Sequence, residues 1–177
     1  MKKYELTAEF IEKWGKKLFR IKALISFGSV EAGELGGYVE KEDNLAQDGN
    51  AWVCGNAWVY GNAWVCDNAR VCGDAEVCDN AKVCDNAWVC GDADCLLIGR
   101  IGSRFSFTTF FKNKDKGITV SCGCFLGTIA EFRAKVTDTH GNNKHAKMYN
   151  LAADMAELQI LGEEHFDKLN TNKSEPF

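Results

Sequence analysis

A set of polar and basic residues in the C-terminal half has the chemistry of an anion-binding site. Thr128 and Glu131 fit the capping-box pattern that starts a helix, and a helix N-terminus presents free N–H groups and a partial positive charge to a phosphate or carboxylate. An arginine can clamp the same anion through charge-assisted hydrogen bonds, and a nearby cysteine is favoured there as a thiolate. The candidate ligand-binding residues are Ser103, Arg104, Cys122, Cys124, Thr128 and His140.

Charge is distributed unevenly along the chain, and its distribution favours the same region. The 177 residues include 21 Lys and Arg against 25 Asp and Glu, a net charge of −4, which excludes a globally basic nucleic-acid-binding protein. Residues 50–95 carry two basic and seven acidic side chains, whereas residues 96–149 carry nine basic and three acidic ones. An anionic ligand is therefore expected at the C-terminal part and not along the acidic middle.

The same residues do not make a recognisable catalytic set. No nucleophile, base and orienting group can be assigned among the cysteines and the three histidines, His140, His145 and His165. Structural roles are the favoured explanation of these candidates taken singly: Cys122 and Cys124 suit a strand, and His140 suits a helix C-terminus. We therefore predict no catalytic residues, and both interpretations of these side chains stay open.

Nine cysteines would ordinarily suggest a disulfide scaffold or a zinc site, but their spacing favours neither. The sequence contains no Cys-x-x-Cys pair of the kind that zinc sites use. The first twenty residues lack the apolar run of a signal peptide, and no run is long enough to cross a membrane. We expect reduced thiols, no metal, no cofactor and a cytoplasmic location. The cysteines that recur at multiples of six residues are Cys54, Cys66, Cys72, Cys78, Cys84 and Cys90.

A six-residue repeat occupies the middle of the chain. From Asn50 to Cys95 the sequence is NAWVCG-NAWVYG-NAWVCD-NARVCG-DAEVCD-NAKVCD-NAWVCG-DADC, without an insertion. Alanine and valine lie two positions apart in each copy, so they point to the same side of a strand. Glycine, asparagine and aspartate between copies suit the positive φ and local hydrogen bonds of turns. The pattern predicts short strands that stack every third copy, with alanine and valine buried.

The flanking segments predict two hairpins. LFRIKALI (residues 18–25) alternates apolar and basic residues behind the turn at Trp14-Gly15, which favours a hairpin over a helix. FSFTTFF (residues 105–111) and ITVSCGCF (residues 118–125) enclose a polar turn and are typical of a second hairpin.

Two helices are expected after the second hairpin. The first should begin at Thr128, bury Phe132 and Val136, and end near His140. The second should run through residues 143–160, and the tail from Glu163 onward is polar. Residues expected on the buried side of the second helix are Met148, Leu151, Ala152, Met155, Ala156 and Leu158.

The repeat resembles the hexapeptide repeat of left-handed parallel β-helix proteins, in which a small residue follows an aliphatic one after four positions, as Ala57 follows Val53. The wider layout is similar to that of small phage- or prophage-encoded proteins with this repeat. The resemblance implies a mainly β fold class: a left-handed parallel β-helix of about three coils, with an N-terminal β cap and a small C-terminal α+β cap of a hairpin plus two helices. The expected domains are 1–48, 49–97 and 98–177.

The outward positions of the repeat carry many apolar side chains for a surface in water. Positions three copies apart stack on one face, which places tryptophan on every face. We predict a homotrimer with one such face in the interface. Coverage by the terminal segments of the same chain is one alternative, and a ligand surface is another. The predicted interface residues are Trp52, Trp58, Tyr60, Trp64, Arg70 and Trp88.

These expectations favour a non-catalytic, oligomeric binding protein of phage or prophage type. Its basic C-terminal cap is expected to act on a host component, which is a defence protein, a nucleic acid or a signalling nucleotide. The alternative is an enzyme acting on a phosphorylated or acyl-carrying small molecule, as the resemblance to hexapeptide transferases implies. Those enzymes use histidines on the repeat, and here all three histidines follow it. A purely structural protein is the third class, and none of the three has a membrane partner.

Overall fold

The computed structural model describes residues 1–171, and the chain folds as two compact units, Met1–Asp94 and Cys95–Phe177. The N-terminal segment and the repeat belong to the first unit, and the basic segment belongs to the second. The predicted division into 1–48, 49–97 and 98–177 is finer than this one and stays a prediction. The end of the predicted polar tail, residues 172–177, lies outside the described residues.

The first unit begins with an antiparallel hairpin. Strand β1 (Tyr4–Lys13) pairs with β2 (Lys16–Ala23), and Trp14 and Gly15 between them have φ values of 50° and 74°. Two successive positive φ values are typical of a tight hairpin turn, so the hairpin predicted here is confirmed. Strand β3 (Leu35–Val39) then pairs antiparallel with β2.

Seven copies of the repeat each contribute a strand of two residues. Each strand pairs in parallel with the strand three copies away, for example at Val53, Val71 and Val89. The strands are β4 (Trp52–Val53), β5 (Trp58–Val59), β6 (Trp64–Val65), β7 (Arg70–Val71), β8 (Glu76–Val77), β9 (Lys82–Val83) and β10 (Trp88–Val89). They lie in three sheets, ordered β1-β2-β3-β5-β8, β10-β7-β4 and β6-β9.

The alanine and valine positions of the repeat form the core of this unit. Every alanine of the set from Ala51 to Ala87, and every valine from Val53 to Val89, is at most 3% exposed. The prediction that both positions point inward is therefore confirmed.

The cysteines of the repeat are not all reduced. Cys54 and Cys72 lie at equivalent positions of paired strands with their Cα atoms 4.6 Å apart, and a disulfide joins them. The prediction of reduced thiols is therefore wrong for this pair. The free thiols are those of Cys66, Cys78, Cys84, Cys90, Cys95, Cys122 and Cys124.

The predicted fold class, a left-handed parallel β-helix with a small α+β cap, is wrong. The described residues form short strands in separate parallel and mixed sheets, none of them closed, together with three helices. Only two of the six residues in each copy form a strand, so every ladder is short. The N-terminal hairpin also joins the sheet of β5 and β8 through β3, which makes that sheet mixed instead of purely parallel.

The second unit contains a four-stranded antiparallel sheet in the order β11-β12-β13-β14, followed by three helices. Its elements are β11 (Cys95–Ile101), β12 (Ser106–Lys112), β13 (Ile118–Cys122), β14 (Phe125–Thr128), α1 (Ile129–His140), α2 (Lys144–Leu161) and α3 (Glu163–Thr171). The predicted hairpin is the pair β12 and β13, and both predicted helices are present. The outer strands and α3 are additions to the predicted hairpin and two helices.

Helix α2 buries a different side from the one predicted. Of the expected residues, only Ala152 and Ala156 are buried; Tyr149 and Ile160 join them in a core cluster with the sheet and α1. The small alanines let the helix approach the aromatic side chains of the sheet closely. The four large apolar residues expected inside are exposed: Met148, Leu151, Met155 and Leu158.

Candidate functional site

An open cleft of about 220 Å³ lies within the second unit. Its walls are the β11–β12 turn, the β13–β14 turn and one side of α1, together with a tyrosine from α2. The lining residues are Ser103, Arg104, Ser106, Cys122, Gly123, Cys124, Phe125, Phe132, Lys135, Val136, Thr139, His140 and Tyr149.

Two glycines with positive φ shape the turns at the cleft. A Cβ on Gly102 (φ 72°) would lie 1.9 Å from the hydroxyl oxygen of Tyr149, so only glycine lets the β11–β12 turn approach the ring so closely. This approach carries Ser103 and Arg104 to the cleft. The guanidinium of Arg104 lies across from the β13–β14 turn, because its Nη1 atom is 4.0 Å from the position of a Cβ on Gly123 (φ 61°).

Helix α1 contributes one continuous face to the cleft. Phe132, Lys135, Val136, Thr139 and His140 all line it, and their spacing of three and four residues places them along one side of a helix. The start of α1 is fixed by its capping box and its end by the positive φ of Gly141. The helix is therefore anchored at both ends, which holds this face in place.

Buried Tyr149 joins the aromatic and polar parts of the cleft. Its ring stacks on His140, with centroids 5.7 Å apart and 27° between the planes, and meets Phe132 edge-on at 5.6 Å. Burial raises the pKa of Tyr149, the nearby Cys122 thiol adds to the rise, and the Arg104 charge opposes it. The phenol therefore stays protonated at neutral pH and keeps a proton to donate.

The charge of the lining is entirely basic. Arg104, Lys135 and His140 are among the thirteen lining residues, and none of the thirteen is Asp or Glu. Lys135 has an exposed ion pair with Asp138 at 3.3 Å, which is worth little in water. Arg104 has no ion pair with any carboxylate of the described residues. Such a lining attracts anions.

Five of the six predicted site residues line this cleft: Ser103, Arg104, Cys122, Cys124 and His140. The sixth, Thr128, does not. Its backbone N–H and its hydroxyl both donate to Oε2 of Glu131 at 2.8 Å, and these hydrogen bonds lower the pKa of Glu131. The N–H and hydroxyl of Thr128 thus already bond a carboxylate of the same chain, and its predicted contact with a ligand stays a prediction.

Several lining residues were not predicted from the sequence. Lys135, Thr139 and Tyr149 are polar members of the cleft, and Phe125 and Phe132 form much of its apolar wall. The helical spacing from Phe132 to His140 could have identified the α1 members. Nothing local to Tyr149 indicates its role, because its place depends on the packing of α2.

The N-terminal segment covers part of the predicted tryptophan surface. Trp52 is fully buried, with its ring 6.4 Å from that of Tyr4 and 5.4 Å from that of Phe27. It is therefore unavailable to a partner, which corrects its assignment to an oligomer interface. Trp58 is half-buried against Trp14, at 5.9 Å between ring centroids.

Of the other predicted interface residues, two bond to side chains of the same chain and two are exposed. Tyr60 hydrogen-bonds Glu76, and Arg70 donates to the Ser29 hydroxyl. Trp64 and Trp88 are 40% and 48% exposed, so they remain candidates for a contact surface.

No protein-family model matches the chain, and no curated protein matches it. Among the described residues, no helix combines the length and the apolar character that crossing a membrane requires.

Proposed function

We propose that the protein is a non-catalytic binding protein whose C-terminal unit holds a small anionic ligand with an aromatic part, of the nucleotide class. The observation that carries this proposal is the lining of the cleft, which joins three basic side chains to an aromatic wall and contains no carboxylate. A volume of about 220 Å³ suits a small molecule and not a nucleic-acid duplex.

Each part of such a ligand has a matching partner. Arg104 and Lys135 offer positive charge to a phosphate, and arginine can bind it through two parallel hydrogen bonds. The hydroxyls of Ser103, Thr139 and Tyr149 add neutral donors. Aromatic rings of the kind found in this wall stack on the faces of nucleobases.

The arrangement supports binding over catalysis. The best nucleophile of the cleft is a thiol, and the Cys122 sulfur accepts a hydrogen bond from the Thr108 hydroxyl at 3.2 Å. Among the described residues no hydrogen bond joins Cys122 or Cys124 to His140, the one base that could activate them. An enzyme acting on a phosphorylated small molecule remains the second candidate, since a thiol and an imidazole do share the cleft.

Replacing Arg104 with alanine should weaken binding of adenosine monophosphate about tenfold or more. The change removes a charge-assisted hydrogen bond, which is worth ~1.5–3 kcal/mol. The melting temperature should stay unchanged, because Arg104 is exposed and has no ion pair in the described part of the chain. Calorimetric titration with adenosine monophosphate, with inorganic phosphate and with adenosine checks both the anion and the aromatic contribution.

Lys114→Ala is the matched control, since it removes an exposed positive charge from the β12–β13 turn, away from the cleft lining. It should leave the affinity as it is. Equal losses in Arg104→Ala and Lys114→Ala would show only a nonspecific charge effect and would contradict the site. A lower melting temperature with unchanged affinity in Arg104→Ala would make the residue structural.

We also propose that the chain self-associates through its exposed tryptophans, with a trimer as the expected state. The support is the exposure of two large apolar side chains of the repeat, Trp64 on the β6-β9 sheet and Trp88 on the β10-β7-β4 sheet. The number of three chains is the expectation from the sequence. Light scattering should give three times the mass of one chain, and the double variant Trp64→Gln/Trp88→Gln should give a monomer.

Leu151→Gln is the control for this experiment, since Leu151 is also exposed, at 63%, but lies on α2 of the second unit. A wild-type monomer at micromolar concentration would show that the chain's own N-terminal segment covers enough of the surface. The expected action on a host component rests on the sequence resemblance to phage-type proteins, and it stays a prediction.

A further inference from the structure

Two buried cysteines and an aspartate of the repeat meet at one point of the first unit. The parallel pair β6 and β9 places Val65 opposite Val83, so the residues that directly follow these strands, Cys66 and Cys84, also lie next to each other. Their side chains are 4% and 1% exposed. The two sulfur atoms and a carboxylate oxygen of Asp67 all lie within 4.8 Å of one another.

The carboxylate distinguishes this pair from the disulfide-bonded one. Cys54 and Cys72 occupy the same position of the repeat and are each followed by a glycine. Cys66 is followed by Asp67, whose positive φ of 59° turns the chain so that Oδ2 accepts from the Cys66 thiol at 3.3 Å and from the Asp85 backbone N–H at 3.2 Å. Of these two cysteine pairs, only Cys66 and Cys84 therefore have a carboxylate oxygen beside their sulfur atoms.

We propose that Cys66, Asp67 and Cys84 bind a zinc ion. Two thiolates and one carboxylate are ligands that zinc accepts, and three protein ligands leave a fourth tetrahedral position for water. Zn–S bonds of about 2.3 Å and Zn–O bonds of about 2.1 Å place tetrahedral ligand atoms about 3.5–3.8 Å apart. The observed cluster meets this geometry with shifts of about 1 Å or less.

The exposure of the three ligand side chains indicates where the ion enters, and their negative charge favours a cation. Asp67 is exposed while both thiols are buried, so the carboxylate is the entry side. Each thiol releases its proton to solvent as it binds the ion. The side chains of Cys66, Asp67 and Cys84 then carry three negative charges against the two positive charges of zinc, which leaves the occupied site with a net charge of −1.

No closely spaced ligand motif marks this group in the sequence. Cys66 and Cys84 are far apart in sequence, and only the stacking of repeat copies brings them together. The three-copy spacing, applied to the cysteines followed by aspartate, could have found them.

Titration of the full chain with Co²⁺, as an optical substitute for zinc, tests the site. We expect one Co²⁺ per chain, with near-ultraviolet thiolate-to-cobalt absorption that Zn²⁺ abolishes on addition. Cys66→Ser and Cys84→Ser should each remove the absorption, and Asp67→Asn should weaken binding about tenfold or more. Circular dichroism shows whether each variant is folded. If a cysteine variant is unfolded, Asp67→Asn still tests the site, because Asp67 is exposed and its replacement should leave the fold intact.

Cys78→Ser is the matched control. Cys78 occupies the same position of the repeat and is followed by Asp79, which accepts from it at 3.8 Å, but it stacks with Tyr60 and not with a second thiol. It should bind Co²⁺ as the wild type does. The proposal would be overturned if Cys78→Ser lost the cobalt absorption as fully as the other two variants, or if Cys66→Ser and Cys84→Ser kept it. A Cys66–Cys84 disulfide found by peptide mass mapping would overturn it as well.

Discussion

Replacing Val71 with aspartate should unfold the repeat. Val71 is fully buried, and its strand pairs in parallel on both sides, with Val53 and Val89 at the same register. The change removes an apolar side chain whose burial is worth ~1.5–3 kcal/mol and places a carboxylate in the same apolar column, at a cost of several kcal/mol. Whole-domain stability is ~5–15 kcal/mol. We therefore expect loss of the native circular dichroism or a melting temperature lower by at least about 15 °C.

Asn80→Asp is the control for this change, because it adds the same charge at an exposed turn position. The side-chain oxygen of Asn80 accepts from Asn62 at 3.4 Å, and a carboxylate can still accept there. Its melting temperature should match the wild type, since exposed substitutions are usually within about 0.5 kcal/mol. A Val71→Asp protein with wild-type spectrum and melting temperature would show that Val71 does not lie in a buried column.

Elements with strong local signals were predictable from the sequence. The turn at Trp14-Gly15 and the capping box at Thr128 each depend on residues close together in the chain, and both form as expected. The fold class depends on which distant strands pair. The joining of β3 to β5, with Tyr38 opposite Trp58, has no local signal, and it makes the sheet mixed. The repeat period therefore predicts the buried positions and the pairing of strands three copies apart, but not which strand outside the repeat joins a sheet.

Helix α2 shows why a hydrophobic pattern can point to the wrong face. Its large apolar residues suggest one buried side, but the rotation of the helix depends on groups outside that pattern. Arg133 of α1 bonds Asp154 and buried Glu157 of α2, each at 2.7 Å. These charges must lie on the side that faces α1, because a buried carboxylate without a partner is costly. Met155 is thereby turned to solvent, at 57% exposure.

The candidate site was also only partly predictable, because some of its residues have a local signal in the sequence and others depend on packing. Local chemistry identified Arg104 and His140, which line the cleft, whereas Thr128 of the capping box, from which an anion site was predicted, is not among the lining residues. The glutamate of the box, Glu131, is the group that satisfies the N–H of Thr128. Tyr149 could not be found, since its place follows from the contact with Gly102 across the sheet edge.

Substituting alanine for Gly102 should therefore damage the cleft more than any change of a charged residue. The new Cβ would lie 1.9 Å from Oη and 2.0 Å from Cζ of Tyr149, and overpacking of this kind costs ~1–3 kcal/mol or more. A φ of 72° adds ~1–2 kcal/mol for a residue with a side chain. Either the β11–β12 turn or the ring must move, so we expect both a lower melting temperature and loss of adenosine monophosphate binding.

Gly123→Ala separates the clash from the backbone effect. Gly123 also has a positive φ, 61°, but a Cβ there would meet only Nη1 of Arg104, at 4.0 Å, so only the ~1–2 kcal/mol backbone cost applies. In a Tyr149→Ala background, Gly102→Ala should lower the free energy of unfolding by no more than Gly123→Ala lowers it in the wild type, because the opposing ring is gone. Thermal unfolding of Gly102→Ala, Tyr149→Ala, their double variant and Gly123→Ala measures the coupling energy between Gly102 and Tyr149. Equal costs for Gly102→Ala and Gly123→Ala in the wild-type background would contradict the contact, because a Cβ would meet Tyr149 at Gly102 and not at Gly123.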